Sequence, residues 1–390
     1  MDVLADTNVA LGVTGSIAAV KTVELAHELR RRGASVRAVM TDSASRIVDP
    51  WAVEFATDSP VVTEITGGVE HVDLCGRDGW ADVFLIAPCT ANTVGKLAAA
   101  IDDTPVTTMA TTALGAGVPL VVAPAMHEPM YDHPGVLDAI ERVESWGVPF
   151  VEPRIEEGKA KIAAEETIVL ETARAAGERP LDGSHITVTG GATAERIDPV
   201  RVLTNRASGK TGRAVAQACY VKGADVTLVE GAVRAGEPAP YAELKPVESA
   251  AEMRAATLDA VEDGTDALVS SAAISDYTVE ERPEKLRSGE PRTLELEPTE
   301  KIIDAVRAER PDLPIVGFKA ETSGDDEKMV AAARETLERV GLSFVVANDA
   351  GVMGAETTRA LFVDSGSREA FEGSKAELGL ALADRLAATL

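Results

Sequence analysis

The sequence predicts an α/β protein with two domains, each built on a parallel sheet that helices cover on both faces. The chain has 390 residues, which is too many for one ordinary hydrophobic core. Short apolar runs rich in β-branched residues alternate with helical stretches, as in buried parallel sheets. This alternation starts again near residue 185, after a polar stretch at 175–183 that contains Gly and Pro. We therefore expect one domain over 1–180 and a second over 181–390.

The first half opens with a strand–helix–strand unit. Residues 8–14 form an apolar run that is followed by Gly15 and Ser16. A helical stretch then continues to about Arg32, and Gly33 is a typical helix stop. The next strand is predicted at Ser35–Met40. Further buried strands are predicted at 83–87 and 120–123, which completes a first sheet.

The second half repeats this architecture with different motifs. We predict strands at 185–189, 225–229, 267–270, 315–318 and 344–347. A helix is predicted between the first two of these strands, at 212–222. These elements form a second parallel sheet.

Charge and composition exclude several classes of function. The net charge is −26, from 64 acidic and 38 basic residues, and such a surface repels nucleic acid and anionic membranes. The spread of acidic residues along the chain favours adaptation to high salt, although an ordinary solvated acidic surface is the simpler interpretation. No apolar run approaches the roughly 18–20 residues of a membrane span, and no secretory signal is expected. Three scattered cysteines indicate no disulfide or metal framework, which is typical of a reducing cytoplasm.

The turn after the first predicted strand is a candidate phosphate site. Gly12 to Ile17 read GVTGSI, and backbone N–H groups at the start of a helix suit an anionic phosphate. Thr14 stands where a dinucleotide fingerprint has its second glycine, which favours a mononucleotide. The turn alone is equally consistent with a structural role.

Three other motifs of the first half carry polar side chains. The stretch 87–93, APCTANT, follows a predicted strand, so it lies at the sheet edge where α/β proteins bind ligands, or it is a helix cap. The stretch 124–130, PAMHEPM, follows the next strand. His71 precedes an apolar stretch, and a lone histidine of this kind is more often structural than functional.

Together these segments resemble the flavin-dependent cysteine decarboxylases, in particular phosphopantothenoylcysteine decarboxylase. The resemblance spans about residues 9–131 and is carried by VTGSIAAVKT, MTDSA, HVDL, APCTANTVGK and PAMHEPMY. It implies a flavodoxin-like or Rossmann-like fold that binds FMN between the subunits of a trimer. It also implies that His71 is the catalytic base and that His127 contributes to catalysis. The FMN contacts implied are Gly15, Ser16, Thr41, Pro88, Thr90, Asn92 and Met126.

Two departures from the family pattern concern the substrate. His127 replaces the usual asparagine of the family, and it can still hydrogen-bond a carboxylate. The stretch 156–161, EEGKAK, corresponds to a substrate-covering flap but lacks the cysteine that protonates the product in many relatives. Lys159 and Lys161 either contact the substrate or are surface lysines. Cys75 and Cys89 are interpreted as buried packing residues, so the sequence does not identify the proton donor.

In the second half, two glycine-containing segments suit an anionic ligand. Residues 189–195 read TGGATAE after a predicted strand, and their glycines allow close backbone approach to a phosphate. Residues 204–212 read TNRASGKTG, which is not a P-loop because Thr204 stands where that motif requires glycine. A loop presenting Ser208, Gly209 and Lys210 before a helix still suits an anion.

This half resembles phosphopantothenate–cysteine ligase, a second Rossmann-like domain. The resemblance spans about residues 186–349 and is carried by TVTGGATAERIDPVR, TNRASGKTG, SSAAISDY, RPEKL, VGFKAET and VAND. It implies CTP and Mg²⁺ as reactants, an acyl-cytidylate intermediate, and Asn205 as the residue that positions this intermediate. The nucleotide contacts implied are Ser270, Ser271, Ala272, Asp276, Lys285, Thr299, Glu300, Lys301, Ile302 and Phe318.

One departure concerns the nucleotide. The family has two lysines four positions apart on a helix, and here those positions hold Thr336 and Val340. Arg334 and Arg339 are nearby and offer an alternative source of charge, with a forked geometry towards phosphate. CTP remains the expected nucleotide, and the metal ligands are not predicted.

The two resemblances together predict two consecutive steps of coenzyme A biosynthesis, ligation and then decarboxylation, in a cytoplasmic enzyme. The predicted partners are small molecules and further copies of the chain, as trimers of the first half and dimers of the second, which imply a dodecamer. Three other functions are consistent with parts of the sequence: a decarboxylase of peptide C-terminal cysteine, a ligase with a silent flavin-binding half, and a flavin-binding subunit without catalysis. The attached ligase half argues against the first. The last is opposed by the joint presence of His71, Asn205, Lys285 and Lys301.

Overall fold

The chain divides into two compact units. The computed structural model describes residues 3–156, 159–231, 238–287, 289, 291–321, 325–349 and 357–390. One unit ends at Gly177 and the other begins at Glu178. Among the described residues, no helix is both long enough and apolar enough to cross a membrane.

The N-terminal unit alternates strands and helices. Its strands are β1 (Asn8–Val13), β2 (Ser35–Met40), β3 (Val83–Cys89), β4 (Leu120–Pro124), β5 (Met126–His127), β6 (Arg154–Glu156) and β7 (Lys159–Lys161). Its α-helices are α1 (Thr22–Arg31), α2 (Asp42–Ser45), α3 (Pro50–Thr57), α4 (Glu70–Cys75), α5 (Ala91–Ala99), α6 (Pro105–Ala116), α7 (Glu128–Tyr131), α8 (Pro134–Glu144) and α9 (Glu165–Ala176).

The main sheet of this unit is parallel, in the order β2-β1-β3-β4. Strand β3 is buried along its whole length, which is why it reads as a continuous apolar run. Phe84 and Ile86 on one face pack with Val106 and Met109 of α6, while α1 and α9 contact the sheet as well. The predicted parallel sheet with its four strands is thereby confirmed.

The first helical segment differs from the prediction in its opening turn. Residues Ile17–Lys21 form a 3₁₀ helix capped by Ser16, whose hydroxyl accepts a hydrogen bond from Ala18 N, and the α-helix begins only at Thr22. A second, antiparallel sheet in the order β5-β7-β6 follows the main sheet. It pairs Met126 and His127 with the stretch that the sequence identified as a flap.

The C-terminal unit is built on a larger sheet. Its strands are β8 (His185–Gly190), β9 (Ala194–Arg196), β10 (Val202–Thr204), β11 (Asp225–Gly231), β12 (Glu243–Val247), β13 (Ala267–Ser270), β14 (Tyr277–Val279), β15 (Leu296–Pro298), β16 (Ile315–Glu321), β17 (Phe344–Asp349), β18 (Thr357–Val363) and β19 (Arg368–Ser374). Its helices are α10 (Lys210–Val221), α11 (Ala250–Glu262), α12 (Ile302–Glu309), α13 (Asp326–Val340) and α14 (Lys375–Ala387).

The sheet order is β12-β11-β8-β13-β16-β17-β18-β19. The strands are parallel from β12 to β17, as predicted, but β18 and β19 are antiparallel, so the sheet is mixed. The short connection at 364–367 explains why β19 runs antiparallel to β18, because a tight turn joins only antiparallel neighbours. The sequence DSGS at this turn is a hairpin signal that the prediction missed.

Helices α10 and α14 lie in close contact. A Cβ atom on Gly379 of α14 would lie 2.6 Å from the carbonyl oxygen of Ala214 in α10, so the crossing leaves no room for a side chain. Helix α10 begins at Lys210, two residues earlier than predicted. The N-terminal ends of both helices face the carboxyl end of the sheet, where a cavity is found.

Candidate functional sites

The N-terminal unit has a cavity of about 530 Å³ beside the ends of β1, β3 and β4. Its walls are mostly apolar, and charged or hydrogen-bonding groups stand among them. The apolar lining includes Ile17, Val20, Ala125, Met126, Met130 and Ile162. The polar lining includes Ser16, Lys21, Thr90, His127, Arg154, Lys159 and Lys161. This combination suits a largely apolar ring system that carries an anionic group.

Hydrogen bonds fix the ends of β1 and β3 beside this cavity. Thr14, which is 1% exposed, donates from its N–H and from its hydroxyl to the carbonyl oxygen of Pro88, across 3.2 and 2.8 Å. The same hydroxyl accepts a hydrogen bond from Thr90 N at 3.1 Å. The hydroxyl of Thr90 in turn caps α5 by accepting from Thr93 N. The threonine in place of a fingerprint glycine is therefore a structural link between two strand ends.

Gly15 lies where a side chain has no room. A Cβ atom on Gly15 would meet Ser43 Oγ and would lie 2.6 Å from Ser43 Cβ. Ser43 is held by a hydrogen bond with the hydroxyl of Thr41 at 3.0 Å, and Thr41 N donates to Val13 O. Thr41 therefore supports the Gly15 corner of the cavity without lining it.

The structure brings together five of the residues implied for FMN binding and catalysis in this half. The cavity is lined by Gly15, Ser16, Thr90, Met126 and His127. Thr41, Pro88, Asn92 and His71 do not line it. Pro88 contributes through its carbonyl oxygen to the Thr14 link, and Asn92 has an exposed side chain on the first turn of α5.

His71 lies on the short helix α4, away from the cavity lining of its own chain. It is half-buried, and its Nδ1 is buried without a hydrogen-bond partner among the described residues. Val69 and Val72 beside it are each 47% exposed. A buried, unsatisfied ring nitrogen beside exposed valines is the arrangement expected of a surface that another molecule covers.

The flap stretch is only partly described, because residues 157 and 158 lie outside the described ranges. Lys159 and Lys161 both line the cavity, and Lys161 Nζ lies 3.1 Å from Glu156 Oε2. Arg154 also lines the cavity, and no motif in the sequence pointed to it.

The cysteines of this unit are buried, as predicted. Cys75 and Cys89 are both 0% exposed. Burial raises the pKa of the Cys75 thiol to about 12 and raises the pKa of Cys89 as well. Buried, protonated thiols of this kind are packing groups, so neither is placed to exchange protons with a ligand.

The C-terminal unit has a polar cavity of about 330 Å³ at the carboxyl ends of β8, β13 and β16. Two of its lining glycines, Gly191 and Gly209, have positive φ angles of 76° and 74°. A Cβ atom on a third, Gly212, would lie 2.7 Å from the Cα of Gly190. These glycines let the start of α10 approach the end of β8 closely, which leaves backbone N–H groups available to an anion.

The amide of Asn205 joins two segments of the cavity wall. Its Nδ2 donates to Ala273 O across 2.6 Å, and its Oδ1 accepts from Ala207 N across 2.9 Å. Ala207 and Ala273 both line the cavity, and Asn205 itself does not. Asn205 therefore sets the distance between the loop before α10 and the loop after β13.

Of the ten residues implied for nucleotide binding, Ser271, Ala272, Asp276 and Phe318 line this cavity. The hydroxyl of Ser271 donates to Thr189 O at 2.6 Å, and Asp276 pairs with Lys301 at 2.6 Å. The remaining six do not line it: Ser270, Lys285, Thr299, Glu300, Lys301 and Ile302.

Four of these six residues bond to other groups, are buried in the core, or are exposed outside the cavity lining. Thr299 donates from its hydroxyl to Ser275 O, and Glu300 pairs with Arg254. Ile302 is 2% exposed because its side chain packs in the hydrophobic core, so it cannot present that side chain to a ligand. Lys285 is exposed on the loop that follows β14.

The loop that carries Lys285 is anchored by Asp198. Leu286 N donates to Asp198 Oδ2 at 2.9 Å, and Arg201 Nη1 lies 2.5 Å from the same oxygen. Burial raises the pKa of Asp198, but the hydrogen bonds from Leu286, Val200 and Arg201 outweigh burial and hold this pKa well below its ordinary value. Asp198 is therefore a fixed carboxylate that connects the segment after β9 to the Lys285 loop.

The arginines considered as substitutes for the missing helix lysines do not line the cavity. Val340 packs in the core, and the hydroxyl of Thr336 donates to its own helix. Arg339 pairs with Asp304 at 2.7 Å, and Arg334 is half-buried on the same helix. Within the described ranges, the cationic side chains that do line the cavity are Lys210, Lys319 and Lys375. Of these three lysines, only Lys210 was a candidate from the sequence motifs.

Comparison with known proteins covers both units. Residues 3–177 match the family model described as Flavoprotein, and residues 181–390 match the DNA/pantothenate metabolism flavoprotein C-terminal domain. The chain is 47% identical to the coenzyme A biosynthesis bifunctional protein CoaBC of Thermococcus kodakarensis, over 92% of this chain and 89% of that protein. It is 37% identical to the protein of the same name from Bacillus subtilis, over 90% and 88%. A solved C-terminal domain of a CoaBC protein aligns with a TM-score of 0.46 and 27% identity, over 54% of this chain and 98% of that domain.

Proposed function

This chain belongs to the CoaBC family of bifunctional coenzyme A biosynthesis enzymes, and from that premise we propose which reaction each of its units carries out. The C-terminal unit joins cysteine to 4′-phosphopantothenate with CTP, and the N-terminal unit decarboxylates the 4′-phosphopantothenoylcysteine that results. The observation that carries this proposal is that each unit has its own cavity at the carboxyl ends of its parallel strands. One cavity is polar and lined by lysines, and the other is mostly apolar.

The ligation proceeds in two steps. The carboxylate of phosphopantothenate attacks the α-phosphorus of CTP, pyrophosphate leaves, and an acyl cytidylate forms. The amine of cysteine then attacks the activated carbonyl, the new amide bond forms, and CMP leaves. Activation is required because a carboxylate is a poor acyl donor, and cations must offset the charge on the phosphates.

The polar cavity supports this chemistry in three ways. Backbone N–H groups at the start of α10 and the lysines of the wall suit phosphate oxygens. Asn205 holds two wall segments at a fixed separation, which positions the acyl cytidylate. Phe318 offers an apolar surface in the same cavity.

Mg²⁺ fits this cavity as an ion bound mainly by the nucleotide. Among the described residues, no cluster of three metal-ligating side chains is present. Mg²⁺ commonly needs only one or two carboxylates in addition to substrate phosphates. Asp276 is the carboxylate on this cavity wall, and its present partner is Lys301.

FMN fits the N-terminal cavity by its shape and its donor groups. The apolar lining suits a flavin ring, and Ser16, Thr90 and Lys21 supply hydrogen-bond donors and a positive charge for the phosphate. The lack of space beside Gly15 shows that backbone, rather than a side chain, forms that corner. Residues Gly15, Ser16, Thr90 and Met126 would hold the cofactor.

In the decarboxylation, a bound FMN would supply the redox chemistry at the substrate thiol. The chain's own residues bind the substrate and exclude water. His127, Lys159 and Lys161 line the same cavity, and they suit the carboxylate and phosphate of the substrate. The buried Cys75 and Cys89 take no part in proton transfer.

His71 acts from a second copy of the chain in this proposal. It does not line the cavity of its own chain, its Nδ1 is buried without a partner in the part of the chain that the structure describes, and its neighbours are exposed valines. Beside the cavity, Ile17 and Val20 are 77% and 58% exposed. Packing one surface against the other in a homo-oligomer buries these side chains and brings a histidine to the cavity. These observations support self-association of the N-terminal units. We propose the trimer that the family resemblance implies, combined with dimers of C-terminal units into a dodecamer.

One reaction mixture tests both activities. Purified protein is incubated in high-salt buffer with phosphopantothenate, cysteine, CTP and Mg²⁺, and the products are identified by mass spectrometry. We expect phosphopantetheine, CMP and pyrophosphate. A parallel mixture with ATP in place of CTP tests the choice of nucleotide.

The absence of either proposed activity would give a different set of products. Accumulation of phosphopantothenoylcysteine alone would support the ligase and contradict the proposed decarboxylase. Formation of phosphopantetheine only when phosphopantothenoylcysteine is supplied would contradict the ligase.

A further inference from the structure

Helices α10 and α14 run side by side and in the same direction. Gly379 of α14 packs against Ala214 of α10 near the start of both helices, and Lys222 at the end of α10 lies 2.6 Å from Asp384 of α14. The positive ends of both helix dipoles therefore point to the same side, where the polar cavity of the C-terminal unit is found.

Each of these helices begins with a lysine that lines this cavity. Lys210 is the first residue of α10, and Lys375 is the first residue of α14. Each stands four residues before the point where the helices touch, so the packing of Ala214 on Gly379 aligns the two lysines. Lys375 is half-buried, and burial together with the nearby charge of Lys210 lowers its pKa.

These two lysines have no anionic partner in the described part of the chain. No carboxylate of those residues lies within 4.0 Å of either ammonium group, although the chain carries 64 acidic residues. Asp276 on the same cavity wall is already paired with Lys301. The cavity therefore keeps two uncompensated positive charges in a protein with a net charge of −26.

The position of these lysines opposes local helix stability. A cation at the first residue of a helix is repelled by the helix dipole, and two neighbouring cations repel each other. Neither lysine serves as a cap, because Ser374 and Glu377 cap α14 and Gly209 precedes α10. A local arrangement that is unfavourable without a ligand is expected at a binding site for an anion.

We propose that Lys375 and Lys210 together bind a phosphate group of a phosphorylated substrate in this cavity. The inference rests on the proposed ligase function, in which both phosphopantothenate and the nucleotide carry phosphates. A phosphate offers three oxygens, which can accept hydrogen bonds from two ammonium groups and from the backbone N–H groups of α10. One lysine alone could not provide this set of contacts. Lys375 is thus a substrate-binding residue contributed by the C-terminal helix of the unit.

The test compares Lys375→Met, which removes the charge, with Lys375→Arg, which keeps it. The matched control is Lys222→Met, since Lys222 lies on the same helix pair at the end remote from the cavity. The rate of pyrophosphate release is measured in KCl buffer with phosphopantothenate, with unphosphorylated pantothenate, and with varied CTP. Thermal melts of every variant verify that it folds.

For Lys375→Met, we expect a rise of about tenfold or more in KM for one phosphorylated substrate, because a hydrogen bond to a charged group is lost. Lys375→Arg should retain most of the affinity, and Lys222→Met should change neither KM. If the affected KM is that for phosphopantothenate, and pantothenate shows no such change, the phosphate is that of the pantothenate substrate. If the affected KM is that for CTP, it is a phosphate of the nucleotide.

A direct binding measurement tests this inference independently of the proposed ligase activity. Calorimetric titration with inorganic phosphate and with pyrophosphate requires no turnover, so it applies even if the wild-type protein shows no ligase activity. Weaker binding to Lys375→Met than to wild type supports the phosphate site. Unchanged affinity for both probes, together with unchanged KM values, overturns it.

Discussion

Thr14 and Pro88 join the ends of two neighbouring strands through two hydrogen bonds. The backbone N–H and the hydroxyl of Thr14 both donate to the carbonyl oxygen of Pro88, and the same hydroxyl accepts from Thr90 N. The loops at the ends of β1 and β3 carry Ser16 and Thr90 of the N-terminal cavity. The shape of the cavity therefore depends on a threonine that does not itself line it.

Replacing Thr14 by Val should lower both the stability of the protein and its affinity for flavin. The change removes the hydroxyl while keeping the shape of the side chain, so Thr90 N loses its acceptor, at a cost of about 1–3 kcal/mol. We expect a lower free energy of unfolding and less bound flavin, measured by denaturant titration and by absorbance. Thr14→Ser retains the hydroxyl and should behave like wild type. Equal stability of the Val and Ser variants would contradict this account.

Gly15→Ala should reduce flavin binding through a steric clash with Ser43. The added Cβ would lie 2.6 Å from Ser43 Cβ, which requires Ser43 or the turn to move. The double variant Gly15→Ala/Ser43→Gly removes the obstructing side chain and should recover part of the affinity. Flavin titration of both variants measures the effect. If the single variant binds flavin as tightly as wild type, the corner is not part of the binding site.

Asn205→Asp should abolish ligation and spare decarboxylation. A carboxylate oxygen would replace the Nδ2 donor that lies 2.6 Å from Ala273 O, so attraction becomes repulsion between the two wall segments. We expect at least a hundredfold loss in pyrophosphate release, with unchanged turnover of supplied phosphopantothenoylcysteine. Because one preparation is used for both assays, the second activity is the control for folding. A parallel loss of both activities would indicate a general structural defect.

Asp364 should make a pH-dependent contribution to stability. Hydrogen bonds from the Ser367 hydroxyl and from Gly366 N and Ser367 N, with Arg385, lower the pKa of this carboxyl from 3.8 to about 2. A pKa lowered by folding means that the stabilisation is complete above about pH 3.8 and is lost as the pH falls through 2. The melting-temperature difference between wild type and Asp364→Asn should therefore be largest above pH 4 and should disappear as the pH falls through 2. A difference independent of pH would contradict the prediction.

The acidic surface should make folding depend on salt. At a net charge of −26, self-repulsion is long-ranged at low ionic strength and is screened to about 3 Å at 1 M salt. We expect the unfolding midpoint and the activity to rise with KCl concentration. Full stability at low salt would exclude salt adaptation.

The sheets could be predicted largely because buried parallel strands are continuous apolar runs. Strand β2 was predicted with its observed bounds, and β3 and β4 within two residues. The hairpin of β18 and β19 was missed because β19 is mostly exposed and has no apolar run. Its one local signal, the turn at 364–367, is short.

The candidate sites could be predicted only where one segment carries the chemistry. Gly15, Ser16 and Thr90 follow strand ends, so their place at the sheet edge follows from the topology. Lys375 could not be predicted, because its neighbour Lys210 lies far away in sequence and is brought near by the packing of two helices. The core position of Ile302, which is 2% exposed, could not be predicted either, because no local pattern in the sequence distinguishes it.

The pairing of α10 with α14 has a consequence for synthesis on the ribosome. All the described lining residues of the N-terminal cavity have been translated once Ile162 is added, whereas the C-terminal cavity lacks part of its wall until Lys375 and Leu378 have been added. A nascent chain therefore completes the cavity proposed for decarboxylation well before the one proposed for ligation. The order in which the two sites mature is the reverse of the order in which their substrates are used.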